Sequence, residues 1–314
     1  MTGEQQGAKR SALRAAGIWT ARILGGLVSL VLVVLAIVYV VSERRIHKRY
    51  EVPVHALSVG NDSATIGRGA KLAQLRGCTD CHGPALAGTV MIDDPLLGRI
   101  AAANLTTGKG GRGADLAPED WERAIRHGLR RDGSTLVVMP AQEFQGLTDQ
   151  DVAALIAYGR SLPPQDHEMP AQRYGPLGRA LFVAGQIPLI PAEEVDQHKP
   201  HATAMDTTQT LKYGAYLAAT CTGCHGMNLS GGKLAHESAT QPPARNLTPD
   251  TATGIGGWSE QDFVRTLRTG TRPDGKTIDG SYMPWKAVGQ MSDNDLHALY
   301  GYLRTVPARK FGNH

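Results

Sequence analysis

Hydrophobic positions along this chain fall into three regimes. The first is a continuous run, ILGGLVSLVLVVLAIVYVV, from Ile23 to Val41. Its nineteen residues carry no charge, and as a helix they would extend roughly 28 Å, close to the thickness of a bilayer core. A buried core helix would not be apolar on every side with charges at both ends. A cleaved signal peptide would have a shorter apolar core and a small-residue cleavage site, whereas SERRIHKRYE follows here. The run therefore reads as an uncleaved transmembrane anchor over 23–41, preceded by a polar terminus over 1–22.

The second regime is helical periodicity, and it occurs twice. Trp121, Ala124, Ile125 and Leu129 share one face of a helix predicted over 118–129. A partner helix starts at Ser259, has Asp262 three residues on as a capping acid, and buries Phe263 and Leu267. TDQDVAALIAYGRSLP at 148–163 matches SDNDLHALYGYLRTVP at 292–307, with Thr148 and Ser292 as starts and Pro163 and Pro307 as stops. Helices are also predicted from near Ser63 to just before Cys78, and over 208–220. No convincing period-two strand appears, so the fold class is all-α.

The third regime, 165–207, has no long apolar period and holds Pro170, Pro176, Pro188, Pro191 and Pro200. It is either an ordered connector or a mobile linker. Within it, PLGRALFVAGQIPLIP is apolar enough to pack on a surface.

Registering the two halves shows a repeat. Asn104-Leu105-Thr106 matches Asn246-Leu247-Thr248 at an offset of 142, and Met139-Pro140 matches Met283-Pro284 at 144. Cys78 to Cys221 is 143. Offsets that drift by one or two residues are what loop insertions produce. The chain holds two copies of one domain, over 62–164 and 208–308.

Composition adds two points. Aromatics are 5% while glycines number 37, which suits loop-rich domains whose interiors something besides side chains must fill. The net charge of +4 comes from residues 1–51, where eight Lys or Arg and three Asp or Glu give +5, leaving −1 for the rest. The basicity belongs to the flanks of the apolar run, and nothing argues for nucleic acid.

The four cysteines lie in two pentapeptides, CTDCH at 78–82 and CTGCH at 221–225. A four-thiolate zinc site rarely separates its pairs by so much, and it leaves both histidines unexplained. A thioredoxin-like pair wants a βαβ setting that is absent. Covalent haem attachment uses every group: two thiols add to the two vinyl groups on one porphyrin edge, and the adjoining imidazole reaches the iron. Two copies in register within a repeated domain predict two covalently bound haem c groups, held by Cys78 and Cys81 and by Cys221 and Cys224, with His82 and His225 as iron ligands. The repeat nominates the sixth ligands. Met139 lies 57 residues after His82 and Met283 lies 58 after His225, each followed by Pro. Met91 and Met227 lack this support, and Met291 aligns with Leu147 as a core residue. Imidazole plus thioether ligation suits electron transfer, because the soft sulfur favours Fe(II) and the iron stays six-coordinate in both states.

This order of C-x-x-C-H, N-L-T, helix, M-P and terminal helix resembles class I cytochromes c. The paired units are similar to the membrane-bound cytochrome c subunits of bacterial periplasmic dehydrogenases for alcohols, gluconate or aldehydes, most of all in NLTPDTATGIGGWSEQDFVRTLRTGTRPDGK, 246–276. The resemblance covers about two thirds of the chain. Many such subunits carry three haems and attach through their C-terminus, so this chain departs from them in haem number and anchor. The resemblance implies an electron carrier rather than an enzyme. A dehydrogenase or quinol-oxidising complex would be the donor, and an oxidase or another cytochrome the acceptor. It also implies that Gly69 and Gly214 meet Tyr158 and Tyr302 where two helices cross, and that Arg245 pairs with a haem propionate. Asn104 and Asn246 stand open between a bond near the haem edge and a turn cap. His127, His236 and His297 read as surface residues. Haem attachment of this kind occurs outside the cytoplasm, so the haem domains are expected on the periplasmic face of a bacterial inner membrane. Rival readings are a dihaem peroxidase, which would need an open iron position, and a haem-based sensor, which would need an output segment.

Overall fold

The computed structural model describes residues 3–233 and 241–313. A single helix, α1 (Gly3–Ile46), contains the whole apolar run. Within it Ala16–Ile46 holds an 18-residue stretch with a mean hydropathy of 2.9, and that stretch is buried nowhere against the protein. A helix apolar on all sides and uncovered by protein needs a non-aqueous surround.

Two similar helical units follow. The first comprises α2 (Ser63–Leu75), α3 (Cys78–His82), α4 (Pro118–His127), α5 (Ala141–Phe144) and α6 (Asp149–Ser161). The connector contributes α7 (Pro176–Val183). The second unit comprises α8 (Thr210–Ala218), α9 (Thr222–His225), α10 (Glu260–Thr269), α11 (Trp285–Val288) and α12 (Asp293–Leu303). The helix starts are where the capping residues put them. Asp62, Thr148, Ser259 and Ser292 each accept a backbone N–H of the first turn.

In each unit the first and last helices cross at a glycine. A Cβ on Gly69 would lie 1.9 Å from the Ala154 carbonyl oxygen and 2.8 Å from Tyr158 Cβ. A Cβ on Gly214 would lie 2.0 Å from the Ala298 oxygen and 2.7 Å from Tyr302 Cβ. The backbones approach closer than any side chain permits, which is the crossing the family resemblance implied.

The chain is mostly helical, but the expectation of no strand needs correction. Strands β1 (Thr89–Asp94) and β2 (Gly98–Ala102) form an antiparallel hairpin, and β3 (Arg173–Tyr174) from the connector pairs with β2. β1 is an edge strand whose four central residues are all exposed. With neither face buried it has no reason to alternate apolar and polar residues, so the period-two signal is missing.

The connector is ordered over these elements. Phe182, Leu189, Ile190 and Ala192 form a buried cluster with Ile46 of α1, Ile100 of β2 and Leu129 and Val137 of the first unit. The segment apolar enough to cover a surface thus covers the exit of α1 and the flank of the first unit.

The two units also touch. Asp151 is buried at the start of α6, where it accepts from Arg68 Nε at 2.6 Å and from the Tyr216 hydroxyl of α8. Leu75 of the first unit packs on the second unit's core, and Tyr216 packs on the first's.

Candidate functional site

Each pentapeptide is a single helical turn. α3 and α9 end at Gly83 and Gly226, both with φ of 78°. Three residues later the chain enters the left-handed region again, at Leu86 (φ 52°) and Leu229 (φ 61°). Non-glycine residues adopt this conformation only where the surroundings enforce it. Here the same bonds do so twice. The amides of Leu86 and Leu229 donate to Gly83 and Gly226, and the amides of Leu105 and Leu247 donate back to Leu86 and Leu229, the latter pair at 2.8 Å in both units.

That tie brings a carbonyl beneath each histidine. His82 Nδ1 donates to the Ala103 oxygen at 2.7 Å, and His225 Nδ1 donates to the Arg245 oxygen at 2.6 Å. The carbonyl fixes the tautomer with the proton on Nδ1 and the lone pair on Nε2, the arrangement of a metal-ligating imidazole held by its second nitrogen. Burial pushes the His82 pKa below its ordinary value, although the Ala103 bond opposes this, and so keeps the ring neutral as a ligand must be.

A cavity of about 910 Å³ opens beside His82, lined by Cys78, Cys81, Met139 and Trp121 among others. That is the upper end of the usual range for a bound small molecule, about 300–1,000 Å³. Burial pushes the Cys78 and Cys221 thiols up to about 11 each, and none of the four cysteines is in a disulfide. Two residues that line the cavity, Trp121 and Arg76, each have a buried nitrogen, Nε1 and Nε, without a hydrogen-bond partner. A largely apolar chamber with two cysteines, an oriented imidazole and the arginines Arg112, Arg130 and Arg131 in its lining fits a haem with its carboxylate substituents. Among the described residues no group of three or more His, Cys, Asp or Glu is placed to hold a metal, so the two cysteine pairs do not assemble into one thiolate site.

Met139 lines the cavity and packs on the first unit's core. Met283 and Cys221 both pack on the second unit's core. Met291 is buried in that core and Met227 is 87% exposed, so neither competes. Met91 of β1 and Met169 of the connector line the first cavity as well. Neither has a counterpart in the second unit, and Met169 gave no signal because the connector lies outside the repeat.

The asparagines prove to be turn staples. Asn104 Oδ1 accepts from Thr106 N at 2.9 Å while its Nδ2 donates to the Gln165 oxygen at 2.8 Å. Asn246 does the same with Thr248 N and the Arg309 oxygen, at 2.9 and 2.7 Å. They pin the N-L-T loop to the segment that leaves the last helix. Arg245 contributes its carbonyl, and its side chain is exposed.

His127 is not a surface residue. It is 1% exposed, and its Nδ1 lies 2.8 Å from Gln197 of the connector. Its neighbours Glu122 and Arg126 are also buried, joined at 3.3 Å. Its position on α4 gave no hint of this, because the connector is what covers it. His297 is exposed and pairs with Glu260, while His236 lies outside the described residues.

Two family models match the chain, one over each unit. "Cytochrome c oxidase, cbb3-type, subunit III" matches residues 64–158, and "Cytochrome c" matches residues 211–307. The chain belongs to the cytochrome c family. This cytochrome is 30% identical over 280 residues to the alcohol dehydrogenase (quinone) cytochrome c subunit of Gluconobacter oxydans, covering 79% of this chain and 56% of that one. It is 31% identical over 271 residues to the fructose dehydrogenase cytochrome subunit of Gluconobacter japonicus, with 78% and 53% covered. Against the gluconate 2-dehydrogenase cytochrome c subunit of Pantoea cypripedii it is 27% identical over 281 residues, with 79% and 61% covered. The matched region of this cytochrome thus spans little more than half the length of these relatives.

Proposed function

We propose that this protein is a membrane-anchored dihaem cytochrome c that carries electrons from the catalytic subunit of a dehydrogenase to an oxidase or another cytochrome. Cys78 and Cys81 hold one haem c and Cys221 and Cys224 the other. His82 with Met139, and His225 with Met283, ligate the two irons. When bound, each haem supplies a one-electron Fe(III)/Fe(II) couple. The chain's own residues orient the imidazoles through Ala103 and Arg245, exclude water with the apolar walls, and line the first chamber with Trp121 and Arg76. α1 lies in a bacterial inner membrane and the haem units on its periplasmic side.

The observation that carries this reading is the identical seating of His82 and His225 on backbone carbonyls. Its test is the haem content of purified protein after denaturation. Two covalent haems per chain are expected, and one or none would refute the assignment. Names of the relatives support a dehydrogenase as donor. Co-purification of this chain with a quinone-linked dehydrogenase catalytic subunit, reduced by that subunit's substrate, is the matching experiment.

A further inference from the structure

The hairpin β1–β2 exposes apolar side chains that none of the described residues covers. Val90 is 45% exposed, Ile92 40%, Leu96 57% and Leu97 39%, and Leu177 at the start of α7 is 44% exposed. Leu96, Leu97 and Leu177 form one patch: the Leu177 amide donates to the Leu96 oxygen at 3.0 Å, and a Cβ on Gly178 would meet the Leu97 oxygen at 2.3 Å. The turn is built to present its leucines. Asp94 Oδ1 accepts from both Leu96 N and Leu97 N at 2.8 Å. Asp93 is neutralised by Arg99 at 3.1 Å and Arg173 at 3.6 Å.

The contacts between α1 and α7 fix the level of this patch. Arg179 stacks over the Tyr39 ring at 4.7 Å and donates to Ser42 Oγ at 2.7 Å. Phe182, further along α7, lies against Arg45, further along α1, with the guanidinium 3.9 Å from the ring centre. The two helices therefore run alongside each other in the same direction. Leu177 precedes Arg179 and so lies on the bilayer side of it, about 3 Å along the axis at ~1.5 Å per residue. Tyr39 belongs to the apolar run. The level of Leu177, Leu96 and Leu97 is thus the level of the last turn of the membrane span, where Tyr sits in the headgroup region and Arg extends toward it.

We infer that the tip of the β1–β2 hairpin, with Leu177, dips into the same bilayer that α1 crosses and forms a second, monotopic attachment of the first haem unit. The inference rests on the membrane reading of α1. The occupant is lipid rather than a protein partner because Leu96, Leu97 and Leu177 lie at the depth of the lipid-facing end of the span.

The test uses the full-length holoprotein in nanodiscs of phosphatidylethanolamine and phosphatidylglycerol. Leu97→Cys and Leu177→Cys, made separately, carry a nitroxide, with unsubstituted protein as the labelling blank. Collisional relaxation by oxygen and by a water-soluble nickel chelate then gives the depth at each site. Val33→Cys reports the span and Glu51→Cys the water phase. The expected result is a depth parameter at 97 and 177 with the sign found at Val33 and opposite to that at Glu51. A water-like value at 97 and 177 with a lipid-like value at Val33 overturns the hairpin inference alone, and would leave the patch as a docking face for a protein. A water-like value at Val33 as well would instead refute the membrane anchor. Because two independent sites report, loss of one variant to misfolding leaves the other to decide.

Discussion

Two imidazoles 143 residues apart make the same bond to the same kind of group. At the scale of single residues this is what separates a haem site from a pair of thiols that happen to precede a histidine. The cysteines and histidines were legible because spacing alone defines them. The methionines were legible only through the repeat, and the first cavity shows why, since Met91 and Met169 also line it. Met139→Ala and Met283→Ala should each remove one thioether–Fe(III) charge-transfer band in the near infrared and lower one midpoint potential by ~0.1 V, a fraction of the roughly 0.8 V that axial ligation spans. Retention of both bands in Met139→Ala would transfer the ligand role to Met91 or Met169. Trp121 Nε1 and Arg76 Nε were not legible. A tryptophan at helical spacing reads as core, and only the folded chamber shows that its N–H lacks a protein acceptor.

At the scale of elements, caps and crossings decide. Ser259 and Asp262 bond each other's backbone amides at the start of α10, at 3.1 and 3.2 Å. The Ser259 hydroxyl and amide hold the Asp262 carboxyl below its usual range. A lowered folded value means that this stabilisation is complete above the unfolded pKa, near 4, and is lost as the pH falls through the folded one. Asp262→Asn should therefore be less stable than the parent in denaturant titrations at neutral pH, with the gap closing in acid. Gly214→Ala places a methyl 2.0 Å from the Ala298 oxygen and should cost at least the ~1–3 kcal/mol of an overpacked contact, read as a lower melting temperature. The longer helices of the two units were legible to within a turn because capping residues and periodicity agree, whereas the short α5, α7 and α11 were not foreseen. β1 and β2 were not, because β1 has no buried face to impose a period of two and β2 is largely buried along its length.

For the whole molecule, the two units meet where Asp151, held by Arg68, accepts from the Tyr216 hydroxyl. The interface was invisible in the sequence, since the repeat aligns the units without saying which faces meet. Arg76 stands at this junction. Its charge favours the thiolate of Cys78 and of Cys221, although burial outweighs it at both, and its guanidinium lies 5.8 Å from the Tyr216 ring centre. Asp151→Ala leaves a buried hydroxyl and a guanidinium without their acceptor and should cost ~2–3 kcal/mol. Differential scanning calorimetry should then resolve two transitions where the parent has one, and a single unshifted transition would show that the units never depended on the contact.

The exit of α1 is not a loose cord. Ile46 is buried with Phe182 and Ile190, and Arg45 grips Glu193 through Nε at 3.0 Å. With α1 crossing a membrane as proposed, a head held by these contacts would not turn freely about that helix. Each porphyrin plane would then keep one inclination to the membrane normal, so stacked, flattened membranes should absorb polarised light anisotropically at the Soret wavelength, a dichroism that a swinging head would average away.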